Sequence, residues 1–379
     1  MQYPVGYHRF HKKKFYNYQL NRWYALGYAR KEDIEAAAAG IHSFEDYIQA
    51  FSEAAEVAVR ENRLKNAASY KRASEFLIAP EDARKLPVYR AYRELFDQAF
   101  VEEPFTRHQV PYGDSYLSAL KLPSRTGEVK GTLIGIPGFD AFIEEFYSIW
   151  DFFTWQGYDV IAYEGPGQGG TLRLHGLPFD HDWEKPTAAV LDYFKLDEVA
   201  ALGVSMGGYW ILRAAAFEKR ITRVISMPPV YDWLEMTNGL NRALARWFVK
   251  QRKITNFFVR LKMGVDPLRH AVHNALFIQQ KNEPYETVRW MMGMNKEHLH
   301  SHLVDQEVLL LGGEHDAFQP PILLEKQKKA LVNAASVTTR IFTKAESADQ
   351  HCQMGNLGLV LQSMVDWLDT GEIDKDQGA

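Results

Sequence analysis

Ser205 stands between glycines at i−2 and i+2 in the run Leu202-Gly203-Val204-Ser205-Met206-Gly207-Gly208-Tyr209. An apolar stretch, "EVAALGVS", precedes it and an amphipathic one, "YWILRAAAF", follows. A strand that turns sharply into a helix at this point would thrust the serine outward as a nucleophile, the glycines allowing the backbones to crowd. A tight strand-to-helix connection that merely contains a serine would use the same glycines. A serine hydroxyl is a weak nucleophile alone and requires a base, oriented in turn by an acid. Both partners are available further along. Asp316 follows the apolar run "EVLLLGG", and His351 lies in "ESADQHCQMGN" after the last apolar run. The order serine, acid, histidine is the one a doubly wound sheet presents on successive strand ends. The chemistry would be attack of Ser205 on a carbonyl, with His351 moving the proton and Asp316 holding the imidazole.

The oxyanion of such a reaction needs backbone N–H donors at an early strand-to-helix turn. "LIGIPGFDAF" supplies one, with Gly135, Pro137 and Gly138 permitting a tight loop, and it makes the N–H groups of Phe139 and Met206 the expected donors. Glu314 is the alternative acid. Asp349 is too close to His351 in the chain to come from another loop. Cys352 adjoins His351, and a lone cysteine of this kind reads as buried and inert.

The elements that must hold these residues alternate. "GTLIGIPG", "DVIAYEGPG", "EVAALGVS", "ITRVISMP", "EVLLLGGEHD" and "TTRIFT" read as short buried strands. The stretches "IEEFYSIWDFFTWQG", "PTAAVLDYFK", "YWILRAAAF", "PILLEKQKKALV" and "NLGLVLQSMVDWLD" between and after them read as helices. That alternation implies an α/β fold with a mostly parallel, doubly wound sheet. It breaks between Pro228 and Asp305, where a helical insertion at about 229–304 would cap the strands' carboxyl ends. Within it Leu240, Leu244, Trp247 and Phe248 share a helix face. Residues 1–106 read as an N-terminal helical domain. "SFEDYIQAFSEAAEVAVREN" opens on Ser43 with Asp46 three residues on, an N-terminal capping signature. "NRLKNAASYKRASEFLIAP" and "VYRAYRELFDQAF" follow as further helices, with no fixed repeat period. No flexible tether separates this region from residues 107–379, so the helices are expected to dock.

With serine, acid, histidine and glycine loop in this order, the chain over about 107 to 370 resembles the α/β-hydrolase superfamily. The helical N-terminal third, "GFDAFIEEFY", "EGPGQGG" and "HCQMGN" are similar to the group of bacterial dihydroxypseudooxynicotine hydrolase and the fungal pigment hydrolases that shorten polyketides. The resemblance implies a Ser-His-Asp hydrolase that cleaves carbon–carbon bonds beside a ketone, or, as in other relatives, an ester. An aromatic, Met-rich cap implies a bulky aromatic or polyketide-like carbonyl substrate, with Trp247, Trp290 and Met291 as substrate-binding residues. Phe257, Phe258 and Met294 are further cap residues, and cap aromatics and methionines are more often core than ligand contacts. A generic carboxylesterase and a non-catalytic binder of aromatic ligands are the alternatives.

Other signals carry less. "GPGQGG" matches a dinucleotide-binding spacing, but "TLRLHGLPFDHDW" after it does not read as a helix that could hold a pyrophosphate. His298 and His302 would share a helix face as metal ligands do, yet no third ligand is identifiable, and the serine chemistry needs neither metal nor cofactor. The basic N-terminal cluster Arg9–Lys14 interleaves with aromatics, and its rings are expected to pack on the protein with the lysines in solvent. It lacks the apolar core of a secretion signal. A net charge of −4 over 379 residues gives no reason to expect nucleic acid as a partner. One cysteine precludes an internal disulfide, and no apolar run reaches spanning length. The expectation is a cytoplasmic protein with a small-molecule partner, neither nucleic acid nor membrane, and compatible with a homodimer.

Overall fold

The computed structural model describes residues 2–236 and 239–373. Five helices come first: α1 (Lys14–Ala25), α2 (Lys31–Ala39), α3 (Phe44–Arg60), α4 (Leu64–Leu77) and α5 (Lys85–Ala99). The Ser43–Asp46 capping box forms at the start of α3, and Tyr47 and Phe51 are buried on its inner face. The sheet then opens with β1 (Thr106–Tyr112) and β2 (Ser115–Leu122), an antiparallel pair that sequence patterning did not separate. The alternating part follows as β3 (Gly131–Ile136), α6 (Tyr147–Thr154), β4 (Tyr158–Glu164), α7 (Gly169–Arg173), α8 (Glu184–Phe194), β5 (Val199–Val204), α9 (Gly207–Phe217) and β6 (Ile221–Met227).

The insertion contains α10 (Gly239–Val249), α11 (Arg252–Lys262), α12 (Asp266–Gln279), α13 (Pro284–Gly293) and α14 (Lys296–Leu299). The sheet resumes with β7 (Glu307–Gly313), α15 (Pro321–Ala330), β8 (Ser336–Phe342) and α16 (Leu357–Thr370). Strand order is β1-β2-β4-β3-β5-β6-β7-β8, antiparallel through β1, β2 and β4 and parallel from β4 to β8.

Strand residues alternate between two cores because successive side chains leave opposite faces of a strand. Leu133, Leu202, Val204, Leu309 and Leu311 enter one core, and Ile134, Ala201, Val308 and Leu310 enter the other. With both faces covered, the central strands β3, β5 and β7 are almost wholly apolar, as buried parallel strands are, while the edge strand β8 is polar and only partly buried. The first core also contains Leu20, Trp23, Phe51, Phe76 and Tyr92 of the N-terminal helices, beside Trp150 of α6 and Trp367 of α16. The N-terminal helices therefore have no core to themselves. Their apolar faces close over one side of the sheet, joined to it by buried ion pairs from Arg22 and Arg72 to Glu145. At the start of α1 and just before it the lysines at 12 to 14 are exposed, while Tyr16, Leu20 and Trp23 within the helix are buried.

Candidate functional site

Ser205 occupies the first position after β5 with φ +56°, a left-handed conformation rare for a residue with a side chain. Its N–H donates to Met227 O at 2.6 Å, which fixes the turn against β6. The flanking glycines are required by close approach. A Cβ on Gly203 would run into the Gly207 carbonyl, and one on Gly207 would lie 2.6 Å from Ile136 O. The crowded turn leaves the hydroxyl at the carboxyl end of the sheet.

Three separate strand-end loops converge there. Ser205 Oγ lies 2.9 Å from His351 Nε2, and His351 Nδ1 lies 2.7 Å from Asp316 Oδ2. Asp316 Oδ1 accepts the backbone N–H groups of Phe318 and Gln319, each at 2.8 Å, so the carboxylate is held at both oxygens. Asp316 and His351 are both buried. Burial works against the imidazolium, but the Asp316 carboxylate reverses this, with Cys352 adding to the effect. The His351 pKa is held well above the usual histidine range. Glu314 instead accepts from the Lys344 N–H, and Asp349 pairs with His315 at 3.0 Å, so neither alternative acid reaches His351.

The loop after β3 passes beside the serine. A Cβ on Gly138 would lie 2.9 Å from Ser205 Cβ. The N–H groups of Phe139 and Met206 make no hydrogen bond among the described residues. Gln168 holds this loop from below: its amide nitrogen donates to Pro137 O and Gly138 O, each at 2.9 Å, while its oxygen accepts from Gly165 N–H at 2.9 Å. The glycine-rich "GPGQGG" is therefore a turn that presents Gln168. The one-turn α7 does follow it, contrary to the sequence reading, and its start is occupied by Glu164, whose carboxylate accepts the Gly170 N–H at 2.6 Å.

Ser205, His351, Gly138, Phe139 and Met206 open into a cavity of about 540 Å³. Its wall is mainly apolar, with Phe139, Phe318, Trp290, Met291 and Met294 prominent. Trp290 and Met291 line this cavity. Trp247 does not. With Leu240 and Leu244 it lies on the solvent side of α10, because the shared apolar face of that helix turns outward. Phe257 and Phe258 on α11 likewise point away. Cys352 is buried and lines the cavity. His298 and His302 do not share a helix, since His300 between them takes φ 52° and ends α14. His298 Nε2 lies 3.2 Å from Asp182 Oδ1. Among the described residues no group of three or more His, Cys, Asp or Glu side chains is placed to hold a metal ion.

Helix α1 supplies the wall that sequence reasoning missed. Phe15, Tyr18, Gln19 and Arg22 line the cavity at i, i+3, i+4 and i+7 spacing. That stripe was legible, but it mixes aromatic with polar residues and so does not read as a core face. The Tyr18 ring lies 6.0 Å from His351 and 5.3 Å from Phe318. Arg22 brings a charge into the cavity, neutralised by Glu145 and by Asp140 at 3.2 Å. Gln19, Thr287, Gln319 and Trp290 also line the cavity, and each has one side-chain polar atom (Gln19 Oε1, Thr287 Oγ1, Gln319 Oε1, Trp290 Nε1) that is buried away from it with no partner among the described residues.

Comparison with known proteins agrees with this architecture. Residues 131–345, more than half of the chain, match the alpha/beta hydrolase fold. Hydrolase LUC6 of a Fusarium species is 33% identical over 203 residues, 48% of each chain. The 20-hydroxy-prefusarin hydrolase FUS2 of Gibberella moniliformis is 34% identical over 208 residues, again 48% of each. The match thus spans about half the length of these relatives. Among solved structures, a 2,6-dihydroxy-pseudo-oxynicotine hydrolase superposes with a TM-score of 0.65 at 20% identity, over 92% of this chain and 94% of that one. With an eight-stranded sheet, a serine on the turn after β5 and its partners after β7 and β8, the chain belongs to the alpha/beta hydrolase fold family.

Proposed function

We propose that the protein is a serine hydrolase that cleaves a bond beside a carbonyl in a bulky aromatic or polyketide-like molecule. The observation that carries this reading is the continuous relay Ser205–His351–Asp316 at the floor of a large apolar cavity. Ser205 Oγ attacks the carbonyl carbon as His351 Nε2 takes its proton. The Phe139 and Met206 N–H groups, which have no hydrogen-bond partner among the described residues, receive the oxyanion. Collapse of the tetrahedral intermediate breaks the bond to the leaving group, which takes the proton from His351 and departs, leaving an acyl-enzyme. Water, deprotonated by His351, then releases the acid and restores Ser205.

The leaving group is an alkoxide in an ester and an enolate or phenyl carbanion in a carbon–carbon cleavage. The second requires an activating carbonyl or phenol on the substrate. The mainly apolar, aromatic wall favours a bulky hydrophobic substrate. The neutralised Arg22 is not a clamp for an anion. A relative named for 20-hydroxy-prefusarin points the same way. In this reading α1 to α5 and the insertion at about 229–304 are two lids over one hydrolase core, and both contribute to substrate selection.

The test offers purified protein p-nitrophenyl esters, aromatic esters and aryl 1,3-diketones, with products identified by mass. Ser205→Ala and a fluorophosphonate probe report the nucleophile. Diketone cleavage with slow turnover of short acetates is expected. Fast turnover of short acetates with every diketone left intact would return the protein to the general esterases. A folded wild type that neither labels nor turns over any substrate would favour a binding role.

A further inference from the structure

We infer that the outer face of α10 and α11 docks on an anionic lipid surface. Leu240, Leu244 and Trp247 recur at i, i+4 and i+7 on α10 and are 81%, 59% and 52% exposed. Phe257 and Leu261 on α11 are 64% and 67% exposed, flanked by the exposed Ile254 and Phe258. Amphipathic helices normally bury this stripe. Here α10 buries no described side chain and α11 buries only Thr255. The stripes are continuous, since the Phe248 ring of α10 lies 5.8 Å from Phe258, and Phe258 lies 5.4 Å from Phe257.

Charge identifies the occupant. Residues 239–270 carry eight basic side chains and one acidic, in a chain whose net charge is −4. Arg246, Lys250, Lys253, Arg260 and Lys262 form no ion pair among the described residues, although all are exposed. Exposed Trp, Phe and Leu beside unpaired Lys and Arg are the pattern of helices that lie in a headgroup layer. A second copy fits poorly, because a two-fold contact would set these cations against themselves. Both helices have eleven residues, too short to span a bilayer, so the contact is peripheral. This departs from the sequence expectation of no membrane partner.

The surface adjoins the cavity. Val259 and Lys262 of α11 and Leu268 of α12 belong to the cavity wall. An amphiphile held at the headgroups would thus meet the cap at the cavity rim.

Flotation with vesicles of phosphatidylcholine alone, or mixed with phosphatidylglycerol, tests the inference without requiring turnover, so its outcome is independent of the proposed hydrolysis. Wild-type protein should float with the mixed vesicles, not the neutral ones, and salt should release it. Phe257→Ser/Leu261→Ser and Lys253→Glu/Arg260→Glu should each lower the partition at least about tenfold with the circular dichroism spectrum unchanged. Neither substitution pair touches the cavity wall. Failure of wild type to bind mixed vesicles, or equal binding to both kinds, overturns the proposal. A dimer in sedimentation that Phe257→Ser/Leu261→Ser dissociates would assign the face to a second copy, and capture by a soluble acidic protein with no vesicle binding would assign it to a protein partner.

Discussion

Asp316 holds His351 through one oxygen, Oδ2 at 2.7 Å from Nδ1, while its other oxygen accepts two backbone N–H groups at 2.8 Å. This division determines what Asp316→Asn would do. The amide oxygen must remain with the Phe318 and Gln319 N–H groups, which leaves the NH₂ facing His351. The imidazole would then carry its proton on Nε2 and could no longer accept from Ser205. Turnover should fall by up to about 10⁴, the loss known for the corresponding change in the serine-protease triad, with the melting temperature little changed. A smaller loss than Glu314→Gln produces would reject Asp316 as the acid.

The raised pKa of His351 predicts the acid limb of the rate profile. A base whose conjugate acid persists to higher pH is available only above that value, so activity should be lost as pH falls through it. The limb of kcat/KM should lie above the ordinary histidine value of 6.5. Removing the carboxylate charge in Asp316→Asn should move the residual activity's limb downward. A wild-type limb at or below 6.5 would contradict the Asp316–His351 electrostatics.

Gln168 holds the loop after β3 that carries Phe139, the proposed oxyanion donor, and does not itself line the cavity. Gln168→Ala frees the carbonyls of Pro137 and Gly138 and loosens the Phe139 N–H. The expected result is a fall in kcat of about tenfold to a hundredfold at nearly constant KM, less than the loss of a direct oxyanion donor. An unchanged kcat with a lower melting temperature would reduce Gln168 to a structural role.

Glu75 tests the buried charge cluster that ties α4 to α5 and to Arg173 of α7. Burial alone would raise its pKa, but Lys85 at 2.9 Å, Arg72 and Arg173 bring it from 4.5 down to about 2. A depressed carboxylate contributes stability that is complete above about pH 4.5 and is lost as pH falls toward 2, worth about 3 kcal/mol. Glu75→Gln should remove about that much at neutral pH in urea unfolding and flatten the acid dependence in that window. Equal stability of the two proteins at pH 7 would show that the cations relax into solvent.

The strands β3 to β8, the elbow at Ser205 and the order of Asp316 and His351 were legible because each depends on local pattern. Buried parallel strands are apolar runs, and a serine elbow needs glycines where backbones meet. Which carboxylate joins the relay was not local. Glu314 and Asp316 stand two residues apart on one loop, and only the packing of the loops after β7 and β8 turns Asp316 inward. The direction of a helix face was not local either. The stripe through Leu240, Leu244 and Trp247 was visible, yet periodicity cannot say whether a stripe meets a core or solvent. The mixed stripe through Phe15, Tyr18, Gln19 and Arg22 does not read as a core face, and it is α12 and the loops after β3, β7 and β8 that enclose it. Sequence determines which residues share a face. What that face meets depends on chain hundreds of residues away.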